Sequence, residues 1–213
     1  MRHPYPLRLV LPTSALLLGT ALVGFSTAER IYSSLRRLES DTHAELEALG
    51  SRTAAQLEYH LSRLDIAGLE RDTALLSGEP HLRVALVFDE NDRVLASTHE
   101  GLRERALSQT SAHAASRAIQ RIRIDKSAEI AHGDGGGVTW GAFAFALARR
   151  PNELRPSRSG VLYLELDLSA RKEQILARAR LEAAMLALFV LLGASATWLY
   201  FNWTITRRAA RLV

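Results

Sequence analysis

The residues best suited to chemistry in this chain are two histidine–acid pairs, His99 with Glu100 and His132 with Asp134. Each could give a metal ion two ligands, but a zinc site needs three or four protein ligands. Neither pair has a third partner at a recognisable spacing, so both read as solvated loop residues. The run Gly133-Asp134-Gly135-Gly136-Gly137 lacks the Lys and Ser/Thr that complete a phosphate loop and opens no helix, so it reads as a hairpin turn. No serine sits in a G-x-S-x-G setting, and the chain has no cysteine, which removes the thiol nucleophile and any disulfide. The sequence predicts no catalysis, no cofactor and no metal.

Binding has better support. Residues 138–148 alternate Phe143, Phe145 and Leu147 with Ala142, Ala144 and Ala146, so a strand there puts large side chains on one face and small ones on the other. The large face belongs in a core. The alanine face either receives a closely packed helix or floors a cavity for a small ligand. Trp140 and Tyr163 could wall such a cavity, while Arg121, Arg123 and Lys126 could meet a small anionic ligand such as a carboxylate. The favoured reading of the same three cations is plainer, a solvated basic edge offset by Asp125 and Glu129.

The elements around these residues follow from periodicity. Ile31, Leu35, Leu38, Thr42, Leu46, Leu49, Thr53, Leu57, Leu61 and Leu64 make nine steps over 33 residues, the stripe of a straight or slightly right-handed helix rather than a heptad seam. Gly50 predicts a bend or a weak point, and Ser77-Gly78-Glu79-Pro80 ends the helical region. Residues 83–88 and 93–98 flank Asp89-Glu90-Asn91-Asp92, strand–turn–strand chemistry. Residues 101–124 are helical in pattern, with Leu102, Ala106, Ala115, Ile119 and Ile122 inward. Strands follow at 127–132, 138–148 and 160–169. In the last, Leu162, Leu164, Leu166 and Leu168 alternate with Tyr163, Glu165 and Asp167, which predicts one buried and one wet face. Ser169 suits a helix cap with Glu173 in the first turn, and no proline intervenes before Arg207, so one helix can leave the last strand and continue.

Two uncharged segments bracket these elements, residues 9–28 and 183–206. Each is long enough to cross a hydrocarbon core about 30 Å thick as a helix. All 23 acidic residues and 22 of the 27 basic ones lie between them. The acid-free flanks, residues 1–8 and 207–213, carry Arg2, Arg8, Arg207, Arg208 and Arg211, and basic residues beside a span resist translocation. Both termini are then cytoplasmic and residues 29–182 are extracytoplasmic. The sequence pI near 9.8 thus reports topology, not nucleic-acid binding. Ser26-Thr27-Ala28 would also suit a cleaved signal peptide, but helical pattern resumes at once with Ile31 and favours an uncleaved anchor. Trp198, Tyr200 and Trp203 beside Arg207 and Arg208 mark an interfacial end of the second span.

The order of long helix, two strands, helix, three strands and exit helix between two spans resembles the extracytoplasmic PAS-like sensor domains of bacterial receptors, the Cache type. The resemblance rests on RVALVFDENDRVLAST as the first hairpin, GVLYLELDLS as the last strand, and the direct run into the second span. The tail TITRRAARLV resembles the start of a HAMP linker helix. The resemblance implies an α+β fold with a PAS-like antiparallel sheet and a long N-terminal helix, flanked by transmembrane helices. It further implies a receptor's input region in the bacterial inner membrane, working as a homodimer. Its message would pass through the second span to a cytoplasmic output module, of histidine kinase, cyclic-di-GMP or chemotaxis type, absent from these 213 residues. The alternative is a membrane-anchored scaffold whose outer domain binds an envelope protein.

Overall fold

The computed structural model describes residues 7–133, 137–148 and 158–209. They fall into two compact units, one within residues 38–171 and a second formed by the described residues up to Arg37 with those from Lys172 onward. The fold class is α+β, with a long helix and a five-stranded antiparallel sheet, as expected.

In the first unit, the later part of α1 (Leu7–Ser62) is followed by α2 (Ile66–Leu75), β1 (Leu82–Phe88), β2 (Val94–Ser97), α3 (Ser116–Asp125), β3 (Ala128–His132), β4 (Val138–Ala146) and β5 (Ser159–Asp167), which leads into α4 (Ser169–Ala209). The strands are ordered β2-β1-β5-β4-β3, every neighbouring pair antiparallel. Residues 84–88 are apolar without interruption and bury on both sides, the pattern of an inner strand.

The central strand is β5, and here the expected wet face is corrected. Tyr163 and Glu165 are each only 3% exposed, because α3 and the segment before it cover the side that their residue types would assign to solvent. Two apolar layers result. One joins Ala85, Val87, Phe143, Phe145, Leu162, Leu164 and Leu166 of the sheet to Leu46, Leu49, Leu57 and Leu61 of α1 and Leu69 of α2. The other joins Val84, Leu86, Phe88, Ala142, Val161 and Tyr163 to Leu107, Ala112, Ala115, Ala118, Ile119 and Ile122. The alanine face of β4 therefore receives a helix.

The α1 stripe is buried from Thr42 to Leu61, but Leu64 is 75% exposed. The helix stops at Ser62, and Leu64 turns the chain at φ 58°. Asp65 then restarts it by accepting from Gly68 N–H at 2.9 Å. Gly50 makes no break: α1 runs through it, and a Cβ there would overlap the Phe143 ring. It is a notch for that ring, so the expected bend is replaced by a packing role.

Residues 101–124 are also corrected. Short 3₁₀ turns at Glu100–Leu102, Leu107–Gln109 and Ser111–Ala115 precede α3, which starts only at Ser116. Ala106 is exposed and Leu107 is buried in its place. The cause lies in the backbone: Glu104 and Arg105 exchange hydrogen bonds with Val94 at 3.0 Å each, and Leu107 N–H donates to Asp92 O at 2.8 Å. Groups that pair with β2 cannot also close helical turns.

The glycine run keeps its hairpin-closing bond, Gly133 N–H to Val138 O at 2.9 Å, while residues 134–136 lie outside the described residues. At the start of α4 the polar acceptor is Asp167 rather than Ser169: its carboxylate takes Ser169 N–H at 2.9 Å and Ser169 Oγ–H at 2.6 Å. These bonds, the hydroxyl's first, hold the Asp167 carboxyl below its usual range. Glu173 lies beyond the first turn.

In the second unit, residues 9–28 are helical as part of α1, and Arg30 pairs with Glu182 of α4 at 3.2 Å. A Cβ on Gly19 would press on Val190 Cγ1 at 2.8 Å, so the small residue permits close approach. Thr20, Thr27, Ser195 and Thr197 each donate a hydroxyl to the carbonyl four residues earlier, at 2.7–2.8 Å, which satisfies their polar groups within apolar helices. Among the described residues, one helix, Ser169–Tyr200, is long and apolar enough to cross a membrane, with mean hydropathy 1.8. The tail residues 210–213 lie outside the described residues.

Candidate functional site

Trp140 and Tyr163 meet on the α3 face of the sheet, their rings stacked 6.0 Å apart at 25°. Register puts them there: Trp140 lies opposite Glu165, and Ala142 opposite Tyr163. Glu165 joins them. Its Oε2 accepts from Tyr163 OH at 3.3 Å, and its Oε1 accepts from Arg83 Nη1 at 2.9 Å.

Arg83 reaches this face because of an irregular step. The register of β1 on β5 shifts between Leu82 and Val84, leaving Arg83 as the extra residue, and such a bulge re-aims a side chain. Glu165 is 4% exposed along its side chain and Arg83 58%, so the carboxylate is buried and its cation reaches in from the rim. Burial, with the Glu165 charge and hydrogen bond adding to it, holds the Tyr163 phenol well above its usual range. Tyr163 therefore remains a hydrogen-bond donor to Glu165 at physiological pH. The site can hold a charge and orient an aromatic pair. Among the described residues no group of three His, Cys, Asp or Glu could hold a metal ion.

The three cations named from sequence lie elsewhere and apart. Arg121 reaches Glu129 of β3 at 3.4 Å, while Arg123 pairs with Asp92 at 2.6 Å and donates to Asp89 O at 3.0 Å. Two residues on a helix differ by about 200°, which sends these arginines to opposite flanks of α3. Arg123 and Arg158, the latter 2.7 Å from Glu90, clamp the β1–β2 turn. Lys126 ends α3 in the left-handed conformation, φ 50°. Sequence reasoning missed Arg83 and Glu165. The available signal was parity, since Glu165 shares the face of Tyr163.

One stability test arises here. Arg83→Met strands the Glu165 carboxylate and should cost about 1–2 kcal/mol, a figure held down by the exposure of the arginine. Adding Glu165→Gln should recover part of that loss. Urea unfolding of the two single variants and the double measures the coupling; strictly additive losses would show that the pair is not a unit.

No protein-family model matches the chain, and no curated protein does. Among solved structures it is similar to the sensor domain of the V. cholerae histidine kinase DctB, with TM-score 0.44 and 15% identity; the match covers 73% of this chain and 59% of that one. It is also similar to the E. coli DcuS sensor domain, with TM-score 0.37 and 12% identity over 62% of this chain and 96% of that one. The E. coli DhaR(N)–DhaL complex gives TM-score 0.31 and 13% identity over 72% of this chain and 57% of that one. The chain thus spans under two thirds of the matched DctB structure.

Proposed function

We propose that this chain is the sensory input region of a bacterial membrane receptor, with the sheet domain outside the inner membrane and both termini in the cytoplasm. A cue received by the domain alters the sheet, and α4 carries the change inward to an output module. One observation carries this reading. The buried central strand β5 ends at Asp167, Leu168 is 1% exposed, and α4 begins at Ser169 and continues without interruption for 41 residues. No flexible loop stands between strand and helix to absorb a displacement. A rod of that length extends about 60 Å at 1.5 Å per residue.

The Trp140–Tyr163–Glu165–Arg83 cluster is the proposed sensing surface, because Glu165 lies four residues before the helix. An anionic ligand at Arg121 or Arg123 would first have to release Glu129 or Asp92. Coupling needs two arrangements of the domain with different affinity for the cue.

The rod is tested by inserting one residue after Arg178 in a receptor that carries the chain fused to a histidine-kinase output. The insertion rotates everything beyond it by about 100°. Kinase output in intact cells should change while the melting temperature of the purified protein does not. Unchanged output would sink the rod mechanism.

A further inference from the structure

The turn between α1 and α2 is held by one histidine. His60 Nδ1 lies 3.0 Å from Asp65 Oδ2, and His60 Nε2 lies 2.9 Å from Asp72 Oδ2. A neutral imidazole has one N–H and one lone pair, so in that form one nitrogen would present its lone pair to a carboxylate. Both contacts are hydrogen bonds only when both nitrogens carry protons. The arrangement therefore selects the imidazolium.

The surroundings are shaped for it. A Cβ on Gly68 would overlap both the Asp65 carboxylate and the His60 ring, so only glycine leaves room for the pair. Gly68 N–H also fixes Asp65 from the other side, at 2.9 Å to Oδ1. His60 stands in the last turn of α1, where the negative end of the helix dipole favours a cation.

The other charged and titratable groups are few. From α1 and the turn that follows it, the Tyr59 ring meets His60 edge-on at 5.8 Å, Arg63 lies 4.4 Å over that ring, and Arg52 pairs with Glu79 at 3.7 Å. From α2, Arg71 acts on Asp65. None of these cations displaces His60 from its two carboxylates.

We propose that His60 is an acid-engaged clasp: protonated, it fastens α2 to the end of α1; deprotonated, it lets α2 loosen. The consequences of charge agree. Asp72 first, then Asp65, hold the His60 ring above its ordinary value, whereas Gly68 N–H first, then His60, hold Asp65 below its own. A raised histidine stabilises fully below its unfolded value of about 6.5 and loses that contribution as pH rises through the folded value. A lowered aspartate does the reverse, contributing above its ordinary value near 3.8 and failing only in stronger acid. The clasp thus stays closed in mild acid and opens as pH rises through the His60 midpoint, which its two carboxylates hold above the ordinary 6.5.

Opening matters because α2 has only ten residues, too few to persist as a helix by propensity alone. Beyond the clasp it holds by buried Leu69 and Thr73 and by the Glu70–Arg103 ion pair. It leads through buried Leu76 to β1, the neighbour of β5. A loosened α2 would therefore free the approach to the strand beside the centre of the sheet.

The test is amide hydrogen exchange of the full chain in nanodiscs, read as protection factors at residues 69–75 between about pH 6 and pH 9, with the His60 ring followed by NMR. Protection should fall by up to tenfold per pH unit above the His60 midpoint, the limit of roughly one proton. In His60→Gln it should be low and independent of pH, and Asp72→Asn should move the midpoint downward. A flat wild-type profile, the same profile in His60→Gln, or a midpoint at or below about 6.5 would overturn the clasp. Should His60→Gln not fold, the Asp72→Asn midpoint decides, and an unmoved one is equally fatal.

Discussion

Leu164→Asp leaves the sheet domain unfolded. The side chain is fully buried at the middle of β5, opposite Ala85 on one side and Gly141 on the other, within the apolar layer beneath α1. Removing a buried leucine costs about 2–5 kcal/mol. A carboxylate placed there adds several more, since no cation belongs to that layer. A domain of this size has roughly 5–15 kcal/mol of stability in total, so the two losses consume all or most of it. Leu164→Met, which keeps volume and polarity, should cost less than about 1.5 kcal/mol. Circular dichroism and thermal melting of both variants compare the cases. A cooperative melt of Leu164→Asp within a few degrees of the wild type would show that the layer is not the core described here.

Gly50→Ala is the more discriminating substitution because its sign is inverted. In an exposed helix the change stabilises by about 1 kcal/mol. Here the added methyl would occupy the space of the Phe143 ring, which is 2% exposed and walled by the α1 and β5 leucines. Overpacking of that kind costs about 1–3 kcal/mol, and Gly50→Val should cost more. The partner change tests the cause: Phe143→Leu removes the ring, and on that background Gly50→Ala should be far less harmful. Denaturant midpoints for the four proteins give the coupling. Stabilisation by Gly50→Ala in the wild-type background would mean that the ring does not sit in the notch.

How much of this was legible in the sequence differs by element. The five strands were, because alternation and β-branched runs are local signals, and the α1 stripe was, because its period persists for many turns. Burial of Tyr163 and Glu165 was not. Residue type places them in water, and only the later placement of α3 and the re-aimed Arg83 makes a dry position tolerable. The segment before α3 misled for a related reason: its spacing fits a helix, but its backbone groups are taken by β2. The break after Ser62 has no Gly or Pro, and its one local sign is Asp65 standing three residues before Gly68, the geometry of an N-cap. Of the named site residues, Trp140 and Tyr163 do meet. The three cations were grouped by nearness in sequence, which on a helix disperses side chains around the axis.

The chain that hydrogen-bonds to the start of β2 also limits how copies of this domain could add to one another. Glu104 and Arg105 take both outward backbone groups of Val94, the first residue of a strand only four residues long, and a strand so short and obstructed at its start offers little template. Among the described residues the other margin of the sheet is β3. A sheet with one available margin can be extended once: two copies joined there leave nothing for a third. Copies joined through β3 alone would stop at a pair, and the segment bonded to Val94 would blunt the β2 margin against further addition.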